Sequence, residues 1–281
     1  MNPSQKDTDK GHGMASTKRR RHDSHQGNTN IVDGLVTVVM PMHNSARFLG
    51  EAVDSVLAQS YENWELLIVD DASTDDSLNI AEDYAQRDSR IRVLSNSNPI
   101  GMPSAPRNEG IRAARGRYLA FLDSDDLWFP QKLEQQLPLF EDSRVAIAYS
   151  DYEKISEEGE RRNRIVTAPE HATYNSLLKG NVIGNLTGIY DRAKVGTVIV
   201  KDQRHEDYVM YLEVLKRGYI ARNTGTVLAA YRIRKSSVSS RKMRAIRWQW
   251  AIYRHVEKLS LFRSAYYFMF YAVKAFVKSL I

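Results

Sequence analysis

The chain has 281 residues and a mass of 32.2 kDa, which suits one large domain or one domain with an appendage. Hydrophobic residues make up 42% of it, enough for a sizeable core, and the absence of cysteine excludes disulfides and thiolate metal sites. The formal net charge is +6, with basic residues concentrated at 18–22 and towards the C-terminal end. Such an excess favours an anionic partner: nucleic acid, anionic lipid or a phosphorylated substrate.

Residues 1–33 are predicted to form a disordered basic tail. Residues 1–30 contain almost no large apolar side chains, so the segment cannot offset the entropy lost on ordering. The run KRRRH at 18–22 also fits a nuclear signal or a nucleic-acid arm, but a solvated tail is the favoured interpretation and no motif supports nucleic-acid binding. No apolar segment typical of a signal peptide lies near the start, so none is expected.

From residue 35 onwards, short apolar runs alternate with segments of helical periodicity. This pattern predicts βαβ units and an α/β fold with a mostly parallel sheet flanked by helices. The predicted strands are 35–41, 64–71, 90–96, 117–123 and 144–151. The predicted helices are 45–60, with Ser45 as its N-cap, 74–88, and 105–116, closed by Gly116.

Further along the chain the pattern is less regular. Residues 154–164 predict a charged loop or hairpin, 205–218 a helix that stops at Gly218, and 219–234 a strand. Residues 236–281 are rich in aromatic, aliphatic and basic side chains, and Lys274 and Lys278 interrupt the final apolar stretch. We expect amphipathic helices here that lie in the plane of an anionic membrane surface. A helical hairpin packed on the main domain, or an oligomer contact, is the alternative.

Polar clusters follow three of the predicted strands, at 40–44, 69–74 and 122–126. Because ligands of open α/β sheets bind at the carboxyl ends of strands, we expect the clusters to converge on one crevice. Asp123 and Asp125 are spaced to share a hard cation, Mg²⁺ or Mn²⁺, although a solvated turn also accounts for them. Asp70 or Asp71 can accept a hydrogen bond from a nucleobase, with Pro41 bending the chain beside it.

The motifs around these clusters resemble those of family 2 glycosyltransferases with the GT-A fold. The resemblance runs from about 35 to 235 and rests on VTVVMPMHNSARFLGEAVDSVLAQSYENWELLIVDDASTDDS, NPIGMPSAPRNEGIRAARGRYLAFLDSDDLWFPQKLEQQ and HEDYVMYLEVLKRG. Within the family, IGNLTGIYDR and the aromatic-basic C-terminal segment are most similar to teichuronic-acid-type bacterial glycosyltransferases. The implied domains are a disordered tail at 1–33, a GT-A domain at 34–235 and amphipathic helices at 236–281.

The resemblance implies a role for each matching residue. Pro41, Asp70 or Asp71, and Arg107 would contact the uracil of a UDP-sugar, Asp123 the ribose or donor sugar, and Asp125, with Asp123, the metal that bridges the diphosphate. Asp207 would be the general base, with Glu206 as its rival, and the loop at 183–187 would help to form the acceptor side. Arg234 stands where many members carry a histidine, so Arg234 or Lys235, which lies outside the residues that the structure describes, is expected to neutralise diphosphate directly.

These roles predict an inverting, metal-dependent transferase that moves a hexose-type sugar from a nucleotide sugar. The expected acceptor is a hydroxyl of a lipid-linked or polysaccharide glycan in cell-surface glycan synthesis. The expected location is cytoplasmic, on the inner face of the membrane, and oligomeric state stays open. A catalytically silent nucleotide-sugar-binding scaffold is the alternative. The helix dipole near Asp207 is expected to favour its ionised form.

Overall fold

The protein's structure is a computed structural model that describes residues 31–96, 104–200, 205–234 and 242–280. The predicted tail therefore lies outside the described residues, apart from 31–33. The described residues form part of one compact unit, Ile31–Ile281.

One mixed sheet of ten strands runs through the described part of the chain. Its strands are β1 Val32–Met42, β2 Trp64–Asp70, β3 Ile91–Ser95, β4 Gly116–Phe121, β5 Leu127–Trp128, β6 Val145–Ile155, β7 Arg161–Val166, β8 His171–Ala172, β9 Ile189–Asp191 and β10 Ile220–Arg232. The helices are α1 Leu49–Leu57, α2 Ser77–Arg87, α3 Ser104–Ala113, α4 Lys132–Gln136, α5 Tyr174–Leu178, α6 Arg192–Val195, α7 Glu206–Leu215, α8 Lys242–Ala251 and α9 Leu261–Leu280.

The sheet order is β3-β2-β1-β4-β9-β6-β10-β5. The first four strands are mutually parallel, and β6 is parallel to β10. The short strand β9 lies between β4 and β6 and is antiparallel to both. The predicted mostly parallel α/β sheet is therefore confirmed, with antiparallel additions where the sequence pattern was irregular. The predicted hairpin at 154–164 is β6 paired with β7.

Both faces of the sheet are covered. In β2, Leu66 and Ile68 belong to one buried cluster, whereas Leu67 and Val69 belong to another on the opposite face. Successive side chains of a strand point to opposite faces, so a continuous apolar run requires a cover on each side. The helices supply those covers, which leaves the ends of the strands as the accessible edges.

Two predicted helix boundaries are wrong. Helix α1 begins at Leu49, and Ser45 instead bonds through its hydroxyl to Ser124 while its carbonyl accepts from the amide of Leu49 at 2.9 Å. Helix α3 ends at Ala113, and Gly116 is the first residue of β4. A Cβ at Gly116 would lie 2.6 Å from the carbonyl oxygen of Leu35, so the glycine permits a close strand approach rather than a helix stop.

The C-terminal segment is packed against the rest of the unit, in part through residues 252–257 between α8 and α9. Tyr253 donates through its hydroxyl to the carbonyl of Leu178 at 2.5 Å. The buried carboxylate of Glu257 accepts from the hydroxyl of Tyr174 at 2.6 Å and pairs with Lys216 at 2.9 Å. These contacts match the packed arrangement that the sequence left as an alternative for this segment.

Helix α9 also carries a second apolar surface, which faces solvent. We call it the α9 outer stripe: Phe262, Tyr266, Met269 and Val273, which are between 51% and 88% exposed. Their spacing of three or four residues places them along one side of the helix. Among the described residues, no helix has both the length and the apolar content needed to cross a bilayer.

Candidate active site

The three polar clusters meet at one edge of the sheet, as predicted. The amide of Asp71, after β2, donates to the carbonyl of Met42 at the end of β1 at 2.8 Å. The hydroxyls of Ser45 and Ser124 lie 2.7 Å apart and join the loops that follow β1 and β4. Parallel pairing of β2, β1 and β4 brings their carboxyl ends to the same edge, which explains the convergence.

The first side of the site contains Pro41, Asp70 and Asp71. Both aspartates are buried, at 8% and 9% exposure, and Pro41 is half-buried near the end of β1. The carboxylate of Asp70 accepts from the amide of Ser73 at 3.2 Å, which stabilises the turn. Asp71 Oδ1 accepts from the side-chain amide of Asn96 at 2.5 Å. The pair is therefore held rigidly at the mouth of the crevice.

The acidic run after β4 forms a tight turn. The amide of Asp126 donates to the carbonyl of Asp123 at 3.0 Å. Asp126 is almost fully buried, and its Oδ1 accepts from the backbone amide of Arg232 at 2.9 Å. Burial and the nearby Asp123 and Asp125 carboxylates raise the pKa of Asp126 well above its ordinary value. Asp126 thus joins the acidic turn to the end of β10.

Asp125 has a different partner from Asp126, because its carboxylate pairs with Arg234. Its Oδ2 lies 3.1 Å from Arg234 Nη1, so the arginine that replaces the expected histidine is in contact with the predicted metal ligand. Burial, and then the charge of Asp123, raise the pKa of Asp125 despite this partner. The charge of the Asp123 carboxylate is thus one of the influences that disfavour ionisation of Asp125.

A divalent cation would relieve that repulsion. The two carboxylates supply the hard oxygen donors that Mg²⁺ and Mn²⁺ prefer, and a substrate diphosphate can supply others. Among the described residues, no group of three histidine, aspartate or glutamate side chains could hold a metal ion by itself. A divalent cation at Asp123 and Asp125 would therefore need further oxygen ligands, such as those of a bound diphosphate.

Arg232 is a site residue that the sequence reasoning missed. Its guanidinium is 1% exposed and contacts the carbonyl of Asp125 at 2.8 Å, the carbonyl of Glu157 at 2.9 Å and the carboxylate of Glu51 at 2.7 Å. Together with its amide bond to Asp126, these contacts hold the acidic turn in place. The sequence signal that could have identified Arg232 is an arginine at the end of a predicted strand, directly after apolar residues.

Arg107 connects the acidic turn to α7. Its Nη2 lies 2.5 Å from Asp123 Oδ1, and its Nη1 forms an ion pair with Glu206. The side chain is only 8% exposed; burial opposes its charge, but the carboxylates of Asp123 and Glu206 raise its pKa overall. The structure thus brings together three residues that the sequence had assigned to nucleotide, donor and base roles.

Asp207 follows Glu206 in the first turn of α7 but has a different environment. It is half-buried, and the side-chain amide of Asn181 lies 3.4 Å from its Oδ2. Burial, and then the charge of Glu206, raise its pKa to about 6. The expectation that the helix start would favour the ionised form is wrong in its net effect, because burial and the charge of Glu206 raise the pKa of Asp207 more than the helix start lowers it. A carboxylate with this pKa suits proton abstraction near neutral pH.

The fold and this edge of the sheet define a GT-A glycosyltransferase. The family model described as Glycosyl transferase family 2 matches residues 37–196. The chain belongs to that family.

Two relatives are similar over most of their length. TuaG of Bacillus subtilis, named as a teichuronic acid biosynthesis glycosyltransferase, is 37% identical to this chain. The match covers 88% of this chain and 98% of TuaG. WfgD of Escherichia coli, named as a UDP-Glc:α-D-GlcNAc-diphosphoundecaprenol β-1,3-glucosyltransferase, is 38% identical to this chain. The match covers 78% of this chain and 85% of WfgD.

Solved structures confirm the fold. TarS 1–349 of S. aureus in complex with UDP-GlcNAc superposes with a TM-score of 0.63 at 20% identity, over 78% of this chain and 66% of that one. The mannosyltransferase PcManGT of Pyrobaculum calidifontis in complex with GDP-Man and Mn²⁺ superposes with a TM-score of 0.60 at 20% identity. The superposition covers 77% of this chain and 63% of PcManGT.

Proposed function

We propose that this enzyme transfers a hexose-type sugar from a UDP-sugar to a hydroxyl of a lipid-linked or polysaccharide acceptor in bacterial cell-surface glycan synthesis. The names of the two relatives support the pathway class, and that of WfgD supports the donor and a lipid-linked acceptor. The observation that carries the proposal is the half-buried Asp207, with a pKa of about 6, joined through Glu206 and Arg107 to the acidic turn.

The nucleotide would lie at the edge formed by Pro41, Asp70 and Asp71. The two carboxylates are acceptors for base N–H groups, and their hydrogen bonds from Ser73 and Asn96 keep them oriented. The donor sugar would lie against Asp123, which Arg107 orients. This arrangement would hold the sugar C1 between the acidic turn and the start of α7.

Asp123 and Asp125 would hold Mg²⁺ or Mn²⁺, which supplies Lewis-acid stabilisation to the leaving diphosphate. Arg234 is 39% exposed and next to Asp125, so it can reach a diphosphate oxygen with a charge-assisted hydrogen bond. Its guanidinium would add positive charge on the leaving-group side.

Asp207 would act as the general base. As the acceptor oxygen forms its bond to C1, its proton moves to the Asp207 carboxylate, and the C1–O bond to the diphosphate breaks with the electron pair on the leaving oxygen. A single displacement inverts the anomeric configuration. Glu206 is the weaker candidate for this role, because its carboxylate is committed to Arg107.

Release of UDP tests the proposal. Purified protein incubated with UDP-glucose, Mg²⁺ or Mn²⁺ and a short-chain GlcNAc-diphospholipid should release UDP, and Asp125→Asn should lower the rate at least about 100-fold. Asp83→Asn, on the exposed side of α2, is the matched control and should change nothing. Binding of UDP-sugars without turnover by the wild type, across a donor and acceptor panel, would instead support a silent scaffold.

Membrane residence is part of the proposal. The α9 outer stripe presents apolar side chains to solvent, and Arg263 beside it is exposed. A basic, apolar helix surface of this kind binds the boundary between headgroups and acyl chains of anionic lipid. A peripheral position on the cytoplasmic face would bring the active site to a lipid-linked acceptor.

A further inference from the structure

Three buried side chains that follow the acidic turn reach one short loop. Trp128, Lys132 and Gln136 are spaced by four residues, and each is at most 2% exposed. The loop runs from Gly184 to Gly188 and contains a 3₁₀ turn, Asn185–Thr187. None of the three side chains has a role in the chemistry described above.

The contacts are directed at carbonyl groups of the loop. Trp128 Nε1 donates to the carbonyl of Leu186 at 2.8 Å, and Gln136 Nε2 donates to that of Thr187 at 2.8 Å. Lys132 Nζ donates to Gln136 Oε1 at 2.5 Å and approaches the carbonyl of Thr187 at 3.4 Å. It also lies 4.3 Å from the centre of the Trp128 ring. The three side chains thus hold two consecutive carbonyls from one side.

Burying Lys132 at this position carries a large desolvation cost. Its side chain is fully buried, and among the described residues its ammonium has amide and carbonyl oxygens as partners but no carboxylate. Burial lowers the pKa of Lys132 well below its ordinary range. An apolar side chain of similar length would avoid this desolvation cost. Stability therefore does not explain a lysine at this position.

The loop joins the two halves of the site. Just before it, Asn181 contacts Asp207. Just after it, β9 pairs with β4, the strand that leads into the acidic turn. On its inner side, a Cβ at Gly188 would collide with the hydroxyl of Tyr211 on α7, so the loop is packed directly against the helix that carries Asp207.

We propose that Trp128, Lys132 and Gln136 form a clamp that positions the loop Gly184–Gly188 as the acceptor-side wall of the active site. Lys132 is a positioning residue: it orients the Gln136 amide and holds the loop carbonyls at a set distance from the acidic turn. The acceptor assignment rests on the proposed function, whereas the clamp itself does not.

Hydrogen exchange tests the clamp without any substrate. Lys132→Met keeps the length and apolar stem but removes the donor, so the amides of 184–188 should exchange at least about tenfold faster, with Tm unchanged or raised. Gln136→Met should have the same effect on the loop. Leu133→Met, a buried neighbour without a donor to the loop, is the control and should leave exchange unchanged.

Kinetics then tests the acceptor role. With UDP-glucose and a short-chain GlcNAc-diphospholipid, Lys132→Met should raise the acceptor KM about tenfold or more, while UDP affinity and hydrolysis of the donor by water stay within about twofold.

Unchanged loop exchange in both variants overturns the clamp, as does a loss of Tm in both with no local change. Faster exchange with an unchanged acceptor KM overturns the acceptor role. If the wild type transfers no sugar, the proposed function fails, and the exchange result still decides the clamp.

Discussion

Glu206 and Asp207 are adjacent carboxylates with different electrostatic environments. Glu206 is paired with Arg107, whereas Asp207 is half-buried beside the charge of Glu206 and has a pKa of about 6. Two neighbouring acids can therefore take separate tasks, one held as a counter-ion and one available for proton transfer.

The pH dependence follows from Asp207. Asp207 must be ionised to act as the base that we propose, so kcat/KM should rise with pH through about 6 and level off above it. Asp207→Asn should lower kcat by about 100-fold or more and remove this limb of the pH–rate profile. Glu213→Gln, on the exposed side of the same helix, is the control. If the pH–rate profile of Asp207→Asn still rises through about pH 6, another residue acts as the base.

Asp207 also links stability to pH. Its pKa is raised from 3.8 to about 6 on folding, so the folded protein binds this proton more tightly than the unfolded chain. That stabilising contribution is complete below 3.8 and is lost as the pH rises to about 6. The free energy of unfolding of Asp207→Asn, measured with urea, should therefore exceed that of the wild type at pH 7.5, by on the order of 1–2 kcal/mol.

At the scale of secondary structure, the site is assembled from elements that are distant in sequence. Arg107 in α3 joins the end of β4 to the first turn of α7 through Asp123 and Glu206. Arg232 at the end of β10 fixes the acidic turn from the other side. Arg107 thus sets the distance between the acidic turn and α7, and Arg232 fixes the turn itself.

The Arg107 bridge can be tested by removing its charge. Arg107→Met leaves two carboxylates without their cation and should lower the free energy of unfolding by about 3 kcal/mol at pH 7.5. Adding Glu206→Gln should recover part of the lost free energy of unfolding, because it removes one of the two carboxylates left without a cation. Arg112→Gln, exposed on the same helix, should be neutral. Additive effects of the two changes in a urea-unfolding cycle would contradict the bridge.

At the scale of the whole molecule, the C-terminal helices have two apolar sides. Tyr253 and Tyr267 belong to the core, whereas the α9 outer stripe faces solvent. Deleting the helices would expose the core, so point substitutions are the cleaner test of membrane binding.

Substitution of the outer stripe should release the protein from lipid. Phe262→Ser with Met269→Glu removes apolar area and adds a negative charge, so co-sedimentation with phosphatidylglycerol vesicles should fall about tenfold or more. Ile165→Glu, at an equally exposed apolar position in β7, is the control and should sediment as the wild type does. Undiminished sedimentation of the double variant would contradict membrane binding through this surface.

Local patterns predicted most of the elements and the crevice. Strands such as 64–71 were recognisable because a strand buried on both faces must be apolar throughout, and Asp70 and Asp123 marked strand ends for the same reason. The assignments of Ser45 and Gly116 failed because both are decided by contacts with distant segments, namely Ser124 and the approach of Leu35.

The sequence by itself determined the fold class and the convergence of the polar clusters, because periodicity and strand-end chemistry are local properties. Only the tertiary structure decided which partner each charge has. The pairing of Arg107 with Glu206, the burial that raises the pKa of Asp207 and the placement of Lys132 under the loop depend on segments far apart in the chain. Charge and burial are properties of the assembled environment, so no local pattern encodes them.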